Sequence, residues 1–108
     1  MDDFGAYLLR TYYDHSAEVD DLIAAHLQGW TIARLPRVSV TVLRLALAEL
    51  FFGHDAKPAV AVIINEAVEL VQKYGAEDDY KFVNGLLGAV VREAGLDDSE
   101  PQEEPEQS

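Results

Sequence analysis

A chain of 108 residues with no cysteine and a formal net charge of −12 is small, free of disulfides and thiolate metal sites, and repelled by phosphate at long range. Removing the six acids from Asp97 onward leaves fourteen acids against eight bases, a body charge of −6, so general nucleic-acid affinity is disfavoured and an anion site needs a local patch built from Arg34, Arg37, Arg44, Lys73 and Lys81. The longest apolar run, Ala59 to Ile64, is far too short to span a bilayer, and the acidic start Met1-Asp2-Asp3 has the wrong sign for a leader; a soluble, cytoplasmic protein is expected.

The apolar spacing predicts an all-α chain of about five helices. The first runs from about Asp3 to Asp14, with Phe4, Tyr7, Leu8, Thr11 and Tyr12 on one stripe. Ser16 is the expected N-cap of the second, Glu18 suits its dipole, and Val19, Leu22, Ile23, His26 and Leu27 carry its apolar face as far as Gly29. A short piece from Thr31 to Leu35 ends at Pro36. The third helix, roughly Arg37 to Phe52, is apolar almost all round apart from Arg37, Thr41, Arg44 and Glu49. That pattern belongs to the buried centre of a bundle.

Pro58 suits the first helical position of the fourth helix, which ends at Tyr74 with Gly75 as a left-handed stop. Its expected core stripe is Val60, Ile63, Ile64, Ala67, Val68, Val71 and Tyr74. The fifth helix opens at Asp78 or Asp79 and places Phe82, Val83, Leu86, Leu87, Val90 and Val91 inward, ending at Ala94-Gly95. Residues 97–108 are acidic and hold two prolines; a disordered tail is expected there, after one helical domain over 1–96.

Catalytic and metal chemistry find little support. His15, His26 and His54 fall on a turn, a core face and a loop, with no helical ligand spacing and no cysteine to complete a site. Asp20-Asp21 and Asp78-Asp79 are sequence neighbours that diverge on a helix, and Glu66 with Glu69 is an ordinary solvated pair. Neither a nucleophile elbow nor a phosphate loop exists, so no enzyme, metal or cofactor is expected. Asn65 and Asn84 sit inside otherwise apolar helices; a structural polar core, with each amide hydrogen-bonded to neighbouring backbone, is expected, with direct partner contact as the alternative, equally open for Asn84 beside Lys81 and Phe82. Lys81 and Phe82 suit single-stranded RNA, by phosphate neutralisation and base stacking, although Phe82 also fits the core stripe. The Arg37-Thr41-Arg44 stripe is either a phosphate contact or the solvent edge of the central helix.

The blocks Val42-Leu43-Arg44-Leu45-Ala46, Glu49-Leu50, Asn65-Glu66-Ala67-Val68-Glu69-Leu70, Lys73-Tyr74-Gly75 and Phe82-Val83-Asn84-Gly85, with Trp30 and Arg34-Leu35 before them, resemble the NusB family over nearly all of Phe4 to Gly95. The resemblance implies a NusB-like helical bundle and a non-enzymatic transcription antitermination factor. Such a factor pairs with ribosomal protein NusE and binds boxA-type single-stranded RNA for the transcription elongation complex in ribosomal RNA operons. It implies RNA contacts at Lys81 and Phe82 and partner contacts at Glu77, Asp78 and Tyr80; Arg44 joins the RNA candidates from its place on the Arg37-Thr41-Arg44 stripe, not from the resemblance.

Met1 aligns near the third helix of the family, so the chain is expected to be N-terminally truncated, without the basic arm. Val71-Gln72 replaces the usual Ala-Lys. Truncation leaves the Phe4, Tyr7, Leu8, Tyr12 stripe partly bare, which predicts a homodimer or a bound partner helix. Two alternatives stay open: a protein-interaction module without RNA binding, and a recognition module of the kind attached to ribosomal RNA cytosine methyltransferases.

Overall fold

A computed structural model describes residues 3–53 and 59–96 of the chain. Among the described residues there are five α-helices and one 3-10 turn, with no strand: α1 Asp3–Asp14, α2 Ser16–Ala24, the turn Ile32–Arg34, α3 Arg37–Phe52, α4 Val60–Tyr74 and α5 Asp79–Ala94. Helix α3 packs against each of the other four, as its nearly uniform apolarity requires. Its Leu43, Leu47, Ala48 and Leu50 are fully or almost fully buried. They meet Val19 and Ile23 of α2, Ile63, Ala67 and Val71 of α4, and Val83, Leu87, Val90 and Val91 of α5. One contiguous core results, and its members recur at three- and four-residue steps along each helix.

Several boundaries differ from expectation, each for a local reason. Ser16 is the first residue of α2 and His15 the cap, so the hydroxyl does not cap the helix. The α1–α2 break is a single residue, bridged by the His15 amide on the Tyr12 carbonyl at 3.0 Å. The His15 ring stacks on Phe52 at 3.8 Å between centroids. Helix α2 stops at Ala24 rather than near Gly29; Gln28 and Gly29 both take positive φ, which reverses the chain ahead of Trp30.

Gly75 is extended, with φ −97 and ψ −174, not left-handed. Glycine suits it because a Cβ would sit 2.8 Å from the Val71 carbonyl oxygen. Gly95 is the left-handed stop, at φ 72, and the Leu96 amide reaches back to the Val91 carbonyl at 2.9 Å. The expected positions of Pro58, His54 and the tail 97–108 lie outside the described residues.

Polar ties connect the helices where the core ends. His26 stands between the Leu22 carbonyl oxygen and the Glu93 carboxylate, at 3.0 Å from each, and so joins the end of α2 to α5. Arg44 of α3 forks onto Asp20 of α2 through Nε and Nη2, both at 3.0 Å, while the Tyr12 hydroxyl of α1 donates to the same carboxylate at 3.0 Å. Three helices thus converge on one carboxylate. The N-terminal turn of α1 is less well covered. Phe4 is 51 % exposed, and with Leu8, Leu45, Ile63 and Leu70 it lines an apolar groove between α1, α3 and α4.

Candidate nucleic-acid interface

The start of α5 gathers the residues that the sequence offered for binding. Lys81 is exposed, and its Nζ lies 3.6 Å from Asp78 Oδ1, one helical turn back. Phe82 follows on the turn facing α3 and remains 37 % exposed, so its ring is neither lost in the core nor free in solvent. Glu77 and Asp78 are exposed as well, whereas Tyr80 is half buried and packs on the core. The Asp79 carboxylate turns back to accept the Ala76 amide at 3.0 Å, closing the first turn.

Phe82 opens onto an apolar cavity of about 270 Å³ at the junction of α2, the 3-10 turn, α3 and α5. Leu27, Leu35 and Pro36 supply its greasy lining, and Trp30, 61 % exposed, stands at its side. Arg34 is on the rim and Ser39 on the floor. In the sequence Trp30 and Arg34-Leu35 stand only as part of the family resemblance, with Arg34 also a candidate for a local basic patch, and not as a cavity. Nothing marked Ser39. The available signal was an aromatic just after a glycine turn, followed by a helix whose N-cap, Pro36, has no side-chain oxygen.

Arg44 belongs elsewhere. It is not in the cavity lining, and its guanidinium is held by Asp20 and lies 5.3 Å from the Tyr12 ring centroid. The Asp20 hydrogen bonds push Arg44 above its ordinary pKa, against the opposing effect of burial. Burial first, then the Asp20 hydrogen bond, raise the Tyr12 phenol. The geometry is that of a structural tie between α1, α2 and α3.

Asn65 and Asn84 are both exposed, which corrects their expected place in a polar core. The apolar residues around each lie on the other sides of its helix, and the amides point outward at positions the core does not use. Tyr74, expected on the α4 stripe, is also exposed, with the Lys73 ammonium 5.4 Å from its ring centroid. Two aromatic rings, Trp30 and Phe82, line the cavity together with Arg34 and Asp79, while the Ser39 hydroxyl is buried out of solvent reach.

The profile of the NusB family matches residues 1–92. The chain belongs to the NusB family. Transcription antitermination protein NusB from Thermoanaerobacter sp. (strain X514) is 40 % identical over 87 residues, which is 81 % of this chain and 60 % of that protein. The namesake from Thermoanaerobacter pseudethanolicus matches to the same extent. The chain therefore spans about 60 % of the length of these curated relatives. Among solved structures, T. maritima NusB superposes with a TM-score of 0.74 at 39 % identity, covering 81 % of this chain and 60 % of that one. A chain in the crystal structure of a plectonemic RNA supercoil gives a TM-score of 0.77 at 37 % identity, covering 85 % of this chain and 65 % of that one. The NusB helical fold is thereby established for this chain. Among the described residues no helix is long and apolar enough to cross a membrane.

Proposed function

We propose that the protein is a transcription antitermination factor of the NusB type. It is a non-enzymatic cytoplasmic adaptor that pairs with ribosomal protein NusE and carries boxA-type single-stranded RNA to the elongation complex. The observation that carries this reading is Phe82: its ring stays accessible at the start of α5, beside Lys81, in the Phe82-Val83-Asn84-Gly85 block of the family. An accessible ring next to a cation answers the two needs of an unpaired nucleotide, a stacking face and a counter-charge. Glu77 and Asp78, exposed one turn earlier, offer acids to a basic ribosomal protein, and Tyr80 adds a half-buried aromatic edge.

A second reading keeps NusE and drops the RNA. The pairing of Lys81 with Asp78 and of Arg44 with Asp20 favours it, because both cations already have carboxylate partners in a chain of net charge −12. In that case the apolar groove beside Phe4 serves a partner helix or a second copy of the chain.

Titration with NusE, followed by a boxA-type RNA oligonucleotide at two salt concentrations, separates the two readings. The adaptor binds RNA more tightly as the NusE complex and loses affinity steeply as salt rises. Binding of NusE with no RNA response at either salt concentration leaves the interaction module.

A further inference from the structure

Along α4, Val62, Glu66, Leu70 and Tyr74 recur at four-residue steps, and all four are exposed. Residues at that spacing form one slanting ridge on a helix. Phe4 and Leu8, also four apart, make the opposing ridge on α1, and Leu45 and Ala46 of α3 lie between the two. The trough holds about 220 Å³. Large apolar side chains left bare together on a small domain mark an interaction surface.

The charge of this trough has one sign. Glu49 and Glu66 are the charged residues that line it, and no base does. Glu49 is almost fully buried in the wall, while Glu66 is exposed and makes no ion pair among the described residues. An occupant therefore needs an apolar face for Phe4, Leu70 and Tyr74, with a cation beside it for Glu66. Residues 54–58 and 97–108 of the chain carry no large apolar side chain, so neither segment supplies that face. A second copy is opposed by charge: each chain bears −12, and a symmetric pair across this face sets Glu66 near Glu66.

We propose that the groove between α1 and α4 docks an amphipathic helix of a basic partner protein. The apolar side chains of that helix enter the trough, and a lysine or arginine at their edge meets Glu66. The ridge from Val62 to Tyr74 spans about 18 Å, so about three turns of the partner helix are engaged. The proposal deepens the interaction-module reading by stating the partner's chemistry, and it needs neither RNA nor the Phe82 cavity.

The test uses the full chain and three fluorescein-labelled peptides of about 15 residues, long enough to cover the ridge. One carries leucine on a single helical face and lysine elsewhere. The second keeps the leucines and replaces every lysine by glutamate. The third has the composition of the first, scrambled so that no apolar face forms. Anisotropy is expected to show binding of the first peptide, at least about tenfold weaker binding of the second, and none of the third. Leu70→Gln weakens binding of the first peptide about fivefold or more with an unchanged melting curve, as loss of an exposed anchor does. Glu66→Lys reverses the preference between the lysine and glutamate peptides.

Equal binding of the scrambled peptide, or binding untouched by Leu70→Gln, overturns the proposal, because attraction to an acidic surface then suffices. Sedimentation of the free chain as a dimer that Leu70→Gln dissociates puts a second copy in the groove and overturns it as well. No anisotropy change with any peptide does the same. All of these are read without NusE or RNA, so a failure here is distinct from a failure of the NusE and boxA titrations.

Discussion

Replacing Ser39 by alanine is expected to stabilise the free protein, the reverse of the usual outcome in a core. Ser39 is 0 % exposed and its Oγ has no partner among the described residues. Burying a hydroxyl without a hydrogen bond costs about 1–3 kcal/mol on mutational scales. Alanine removes that cost and gains about 0.5 kcal/mol of helix propensity at the third position of α3. Against this stands the void left by one oxygen, about 0.5 kcal/mol.

The net is a gain of about 1–3 kcal/mol. Each kcal/mol corresponds to a rise in Tm of about 4–8 °C for a domain of this size. Urea denaturation followed by far-UV circular dichroism measures it, with Thr41→Ala as the control. Thr41 is exposed on the same helix, so its substitution changes propensity with no buried hydroxyl. A Ser39→Ala protein destabilised by about 1 kcal/mol at an unchanged m value refutes the reasoning, because the hydroxyl must then have a resident partner such as an internal water.

Asp20→Ala removes the acceptor shared by Arg44 and Tyr12. Because the ion pair is about one-third exposed, the loss in urea melts is expected at about 1–2 kcal/mol, less than for a buried pair; a change below a few tenths would show that the fork is idle. Tyr12 has a folded pKa raised above its ordinary value of 10.0. Its contribution is therefore whole below the unfolded pKa and is lost as pH rises through the folded one. Thermal melts from neutral to strongly alkaline pH should show a decline setting in near the ordinary tyrosine pKa, and Tyr12→Phe should flatten it. Gly95→Ala forces a Cβ into the left-handed region at φ 72 and should cost about 1 kcal/mol, read as a lower Tm.

The helices themselves were legible in the sequence. Apolar residues at three- and four-residue steps place Val19 and Ile23, Ile63, Ala67 and Val71, and Val83, Leu87 and Val90 on inward faces, and all are buried. The near-total apolarity of α3 announced the central helix. Helix ends were less legible, because they depend on backbone angles that one residue can change. Gly75 stops α4 through a close approach to Val71, and Gly95 stops α5 through a positive φ, and the two glycines look alike on the page.

Sequence alone, then, determined the bundle, its central helix and the family block around Phe82, because periodic burial and short motifs are local properties of a chain. Only the tertiary structure decided the use of the polar residues. Arg44 became a tie because Asp20, 24 positions away, lies within 3.0 Å. Asn65 and Asn84 turned outward because the core was already filled by their neighbours. The cavity joins Trp30, Arg34 and Ser39 to Phe82 across more than forty positions of chain. A hydrogen bond or a shared cavity is a relation between atoms distant in sequence, and packing of the helices is what brings them together.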